Sequence, residues 1–147
     1  MNLIIALEDN IIKSQRENSL IYLHVQKYFV EKYFSWISLE VIPSERKLYG
    51  NGMLSLGTDR FHVEVNFSPF YPYRYDRIYI KDKSIKYNDN IHVYRDLSLC
   101  LYHPLIDKPL LGSIPLYKLI PRISEWCVCY KEWKKYGVWL GKEIKHI

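Results

Sequence analysis

Phe61-His62-Val63-Glu64-Val65-Asn66-Phe67 alternates apolar and polar residues at every step. A period of two puts Phe61, Val63, Val65 and Phe67 on one face of a strand and the polar residues on the other. One buried face and one wet face is the signature of an antiparallel sheet covered on a single side. Upstream, Leu48 to Leu56 reads as a partner strand, with Gly50 and Gly52 marking a bulge or turn. Further upstream, Ile37, Leu39 and Val41 alternate with Ser38 and Glu40 from Trp36 onward, and Pro43 ends that run. Downstream, Arg77 to Ile80 is a fourth short strand. Consecutive strands separated by turns imply a meander.

Helical spacing flanks the meander. Glu17 to Phe34 is expected to be a helix whose buried stripe is Ile21, Val25, Tyr28 and Phe29, at i, i+4, i+7 and i+8. His24, Lys27 and Glu31 fall roughly opposite, while Leu20 and Leu23 lie off the stripe. Near the other end, Pro121 to Tyr136 reads as a second helix, with Pro121 in its first turn and Gly137 as its stop. Trp126, Tyr130 and Trp133 share one face there and read as core. Met1 to Ile12 is apolar but interrupted by Glu8, Asp9 and Asn10, and suits a short helix or strand. The order is N-terminal helix, antiparallel β-meander, irregular segment, C-terminal helix: an α+β class, expected as a single domain over residues 1–147.

Composition narrows the functional classes. Apolar residues make up 48% of the 147 and aromatics 16%, which excludes a disordered chain. A formal net charge of +5 admits nucleic acid or an acidic partner. The lysines are scattered, however. The densest sets, Lys81, Lys83 and Lys86, then Lys131, Lys134 and Lys135, are expected to be solvated faces rather than a nucleic-acid surface. Three cysteines, Cys100, Cys127 and Cys129, make no disulfide framework and suit a reducing compartment. Cys127 and Cys129, two apart on a helix, point in different directions and are expected to be packing residues. No apolar run approaches the ~18 residues of a membrane span, so a cytoplasmic protein is expected.

The segment richest in chemistry is Ile91 to Pro104, IHVYRDLSLCLYHP. It gathers His92, Tyr94, Asp96, Ser98, Cys100, Tyr102 and His103. A metal site is disfavoured, because one cysteine lacks a closely spaced second one. A small buried Cys between Leu99 and Leu101 is the plain structural reading. The chemical reading is a nucleophilic thiol with polar neighbours.

The run Phe61–Phe67, the turn Phe70-Tyr71-Pro72-Tyr73, then His92 and Cys100-Leu101 resemble, in order and spacing, the core of ubiquitin-conjugating (UBC) enzymes. A nearer likeness is to bacterial relatives of that fold, with a His-x-Tyr-x-Asp-Gly-x-Leu-Cys-Leu-Tyr pattern and a Trp-rich C-terminal helix. The first is matched by His92, Tyr94, Asp96, Leu99, Cys100, Leu101 and Tyr102. The second is matched by Trp126, Tyr130, Trp133, Gly137, Trp139, Gly141 and His146. The relatives are associated with antiphage operons of the cyclic-oligonucleotide (CBASS) kind. The resemblance implies a thioester on Cys100 and transfer of an acyl group to a target amine. The transferred C-terminus would be that of a ubiquitin-like protein or of the operon's cGAS-like nucleotidyltransferase, with ATP consumed by a separate activating enzyme. It implies no cofactor and no metal in this chain.

Within that resemblance, His92 is expected to orient the loop or polarise the thioester carbonyl. Asp96 or His103 would take the proton of the incoming amine, and Tyr94 and Tyr102 would donate to the oxyanion. Two departures stand out. Val93 and Tyr94 follow His92 in place of the eukaryotic Pro-Asn, and Leu97 replaces the pattern's glycine. A side chain disfavours φ > 0, so the loop before Cys100 is expected to differ in shape. Both departures favour the alternative, a catalytically inactive binding module on the same fold. Trp139 and His146 are expected to close the C-terminus over the sheet.

Overall fold

A computed structural model describes residues 18–69, 76–102 and 114–141. Helix α1 (Ser19–Tyr33) leads into strands β1 (Ile37–Ile42), β2 (Lys47–Leu56), β3 (Asp59–Phe67) and β4 (Asp76–Ile80), and helix α2 (Leu116–Tyr136) follows. The four strands form one sheet in the order β1-β2-β3-β4, every neighbour antiparallel. A helix, a four-stranded antiparallel meander and a closing helix make the small UBC-like α+β arrangement that the sequence implies. The Met1–Ile12 segment, the Tyr71-Pro72-Tyr73 turn, His103 and His146 lie outside the described residues.

Strand β3 alternates as its sequence demands. Val63, Val65 and Phe67 are fully buried and Phe61 nearly so, while His62 is exposed. Leu48, Leu54, Ile37, Leu39, Ile78 and Ile80 complete the covered face. The expected bulge in β2 is absent, since the register runs unbroken from Leu48↔Phe67 to Leu56↔Asp59. Gly50 and Gly52 are there for space instead. A Cβ on Gly50 would come 2.0 Å from the Ser38 carbonyl oxygen, and one on Gly52 2.1 Å from that of Trp36.

Both helices depart from the expected patterns, for reasons the packing makes plain. The stripe of α1 drawn from the sequence is on the outside: Ile21 is 66% exposed and Tyr28 60%, with Val25 and Phe29 also exposed. The face turned inward is Ser19, Leu23, Gln26 and Val30. Gln26 decides this orientation. Its Oε1 accepts the Leu116 N–H at 3.0 Å, satisfying one of the orphan donors at the start of α2. Glu31 adds a second tie, accepting the Leu39 N–H of β1 at 3.0 Å.

Helix α2 starts more than a turn earlier than expected, so Pro121 lies inside it. Leu116, Leu119, Ile120 and Ile123 are all fully buried. Each such side chain contributes about 1.5–3 kcal/mol by burial, which together outweighs the ~3 kcal/mol that an interior proline costs. Its end is as expected: Gly137 takes the left-handed conformation, φ 74°, and donates to the Trp133 carbonyl at 2.7 Å. Trp126 and Tyr130 are buried and stacked, and Cys127 is fully buried beside them. Lys81 pairs with Glu64 and Lys131 with Asp59, both at the surface, where such pairs add little. Among the described residues, no helix is long and apolar enough to cross a membrane.

Candidate active site

Beyond β4 the chain makes a short 3-10 turn, Asp89–Ile91, capped by Asn88, whose side chain accepts the Asn90 N–H at 2.9 Å. His92 then reverses the chain in the left-handed conformation, φ 54°. Residues 93–99 form a tight hairpin. Val93 bridges Leu99, the Tyr94 N–H donates to the Ser98 carbonyl at 2.8 Å, and the Leu97 N–H donates to the Tyr94 carbonyl at 2.8 Å. This is the three-residue loop in which a left-handed residue follows a type I turn, a place glycine favours.

Leu97 occupies that place with φ 70°. The expected change of shape therefore does not occur: the loop keeps the form that a glycine would take, and Leu97 bears the strain. Asp96 helps to hold it. Its Oδ1 accepts the Ser98 N–H at 3.0 Å and the Ser98 hydroxyl at 2.6 Å, a side-chain turn of the kind aspartate makes well. The Leu99 N–H donates to the Ile78 carbonyl at 2.7 Å, hanging the hairpin on the edge of β4.

Cys100 ends the hairpin. Its N–H donates to the His92 carbonyl at 2.9 Å, so the two residues face each other across the base of the loop. The Sγ donates to the Tyr102 carbonyl at 3.5 Å. Cys100 is only 2% exposed, and His92 and Tyr102 are buried too. A thiol open to solvent, which acyl exchange demands, is therefore not what this conformation presents. The His92 ring packs on Trp139, 4.9 Å between centroids, and Trp139 in turn lies against Trp126. Trp139 therefore packs on His92 and against the core.

Helix α2 reaches the same loop from behind. The Trp126 Nε1–H points at two carbonyls, Ile91 at 2.8 Å and His92 at 3.2 Å. One turn earlier, Arg122 Nη1 donates to the Leu101 carbonyl at 3.1 Å. Neither contact was legible in the sequence. The i, i+4 spacing shows that Arg122 and Trp126 share a helix face, but not which loop that face meets. Of the residues expected at the site, His92, Tyr94, Asp96, Ser98, Cys100 and Tyr102 come together on this hairpin.

The other two thiols lie on α2. Burial pushes the Cys127 thiol up to about 12. Cys129 is raised by burial and then by Glu125, with the Gly141 N–H acting in the opposite sense. Neither supplies appreciable thiolate near neutral pH.

No curated protein and no solved structure matches the chain. Residues 26–147, carrying α2, the hairpin and most of α1, match the family described as Type II CBASS E2 protein, and the chain belongs to that family.

Proposed function

We propose that Cys100 carries an acyl group as a thioester and passes it to an amine. Family membership makes the chain an E2-like protein of antiphage defence that works with other components of that system. The observation that carries the finer reading is the main-chain pairing of Cys100 with His92 at 2.9 Å, which sets a thiol beside an imidazole-bearing residue at the base of a braced hairpin. In the first step the Cys100 thiolate attacks a donor thioester. A new C–S bond forms, the old one breaks, and the donor thiolate leaves. In the second step an amine attacks the Cys100 thioester, the amide forms, and the amine's proton goes to a base as the Cys100 thiolate departs.

Nearby amides are already committed. The N–H groups of Leu97, Ser98, Leu99 and Cys100 are all bonded within the hairpin or to β4. The developing oxyanion would therefore draw on side chains, and His92, Tyr94 and Tyr102 are assigned that work. Asp96 and His103 are the candidate bases; Asp96 Oδ1 is held by Ser98, and its Oδ2 accepts the Tyr79 hydroxyl at 3.5 Å, a long bond that an incoming amine would replace. The acyl donor is the C-terminus of a ubiquitin-like protein or of a cGAS-like enzyme, delivered by an activating partner.

The 2% exposure of Cys100 favours a second reading, a binding module that never carries an acyl group. Expression with the other genes of the defence locus separates the two on non-reducing gels. A reductant-sensitive adduct that Cys100→Ala abolishes, and that Cys127→Ala and Cys129→Ala retain, is the expected result. A Cys100→Ser protein should trap a reductant-stable ester. Absence of any adduct with the whole locus present selects the binding module.

A further inference from the structure

The hydrogen bonds that α2 makes to the hairpin are unusual in their aim. Trp126, 3% exposed, donates to the Ile91 and His92 carbonyls, and the latter also accepts the Cys100 N–H. Arg122 donates to the carbonyl of Leu101, the next residue after the thiol. The chain entering the loop and the chain leaving Cys100 are thus gripped from one helix by two side chains one turn apart. Trp139 presses on the His92 ring from the segment after α2.

We propose that Arg122 and Trp126 are positioning residues for Cys100: they hold the main-chain carbonyls on its two sides and thereby set where the sulfur lies and how often it is uncovered. Packing alone would need the indole ring but not its N–H, and would need no guanidinium. Both polar groups are spent on carbonyls bordering the site, and the Arg122 side chain is only partly buried. Local openings of such loops are governed by the few bonds that close them. The role rests on Cys100 being the acyl carrier, but its test does not use acyl transfer.

Iodoacetamide alkylation of the full chain, followed residue by residue by mass spectrometry, reads the opening of Cys100. Cys127, on a different side of α2 from Arg122 and fully buried in the core, is the internal control, and thermal melting reports global stability. Trp126→Phe keeps a ring and removes the N–H; Arg122→Gln removes the cation; Arg122→Lys restores a cationic donor. Trp126→Phe and Arg122→Gln should each speed Cys100 alkylation at least about fivefold, the scale of one lost hydrogen bond. Cys127 should change by less than about twofold, and Arg122→Lys should stay near wild type, if the loosening is local. Unchanged Cys100 rates overturn the assignment. So does acceleration of Cys100 and Cys127 together, or an Arg122→Lys protein that behaves like Arg122→Gln. A protein with no conjugating activity at all would still give either result, so failure of the positioning role and failure of the acyl-carrier reading are separable.

Discussion

Leu97 holds φ 70° with its side chain more than a third exposed. An L-residue in that region loses roughly 1–2 kcal/mol relative to its favoured conformations, and the exposed side chain recovers little by burial. Leu97→Gly is therefore expected to raise the free energy of unfolding by about 1 kcal/mol, after the extra entropy glycine gives the unfolded chain is allowed for. Urea denaturation measures it, and a loss of stability would show that the leucine side chain contributes packing not evident here. The sequence shows the type of residue this position prefers, because the resembled pattern has Asp-Gly where this chain has Asp96-Leu97. It does not show that Asp96 and Ser98 together hold the turn firmly enough to keep a leucine there. Asp96 was legible as a member of the site, and its bonds to Ser98 were not.

At the scale of elements, periodicity identified the four strands and both helices but misjudged which side of α1 faces in. A helical wheel counts apolar residues, and on that count Ile21, Val25, Tyr28 and Phe29 win. The protein instead buries two aliphatic side chains, Leu23 and Val30, together with a glutamine that α2 requires. Paired substitutions check this. Leu23→Ala should destabilise by about 3 kcal/mol, as for a fully buried leucine. Ile21→Lys should change stability by less than about 0.5 kcal/mol, as for an exposed position. The reverse order in chemical denaturation would restore the wheel's answer. Pro121 misled for a related reason. Local preference put it at a helix start, whereas four buried aliphatic residues extend the helix past it. The contacts of Arg122 and Trp126 with the hairpin are tertiary through and through, between residues 21 to 35 positions apart, and no local pattern records them.

For the whole molecule, the link between α1 and the sheet has an acid limit. Burial pushes the Glu31 carboxyl up, but the Leu39 N–H and the Lys27 ammonium outweigh it and hold the group below its ordinary value of 4.5. The unfolded chain then binds the proton more readily than the folded one. The stabilisation is fully present above about pH 4.5 and is lost as pH falls through the lower folded value. Glu31→Gln should flatten that acid limb of the stability curve, measured by denaturation between neutral pH and pH 3. An unchanged slope would assign the acid sensitivity elsewhere. The covered sulfur has an effect of its own. Peroxide and other small oxidants attack thiols in proportion to how often they meet them as thiolate. Cys100, 2% exposed with its hydrogen on the Tyr102 carbonyl, meets them seldom. Burial in this hairpin thereby shields the Cys100 sulfur from oxidation for as long as the loop stays shut.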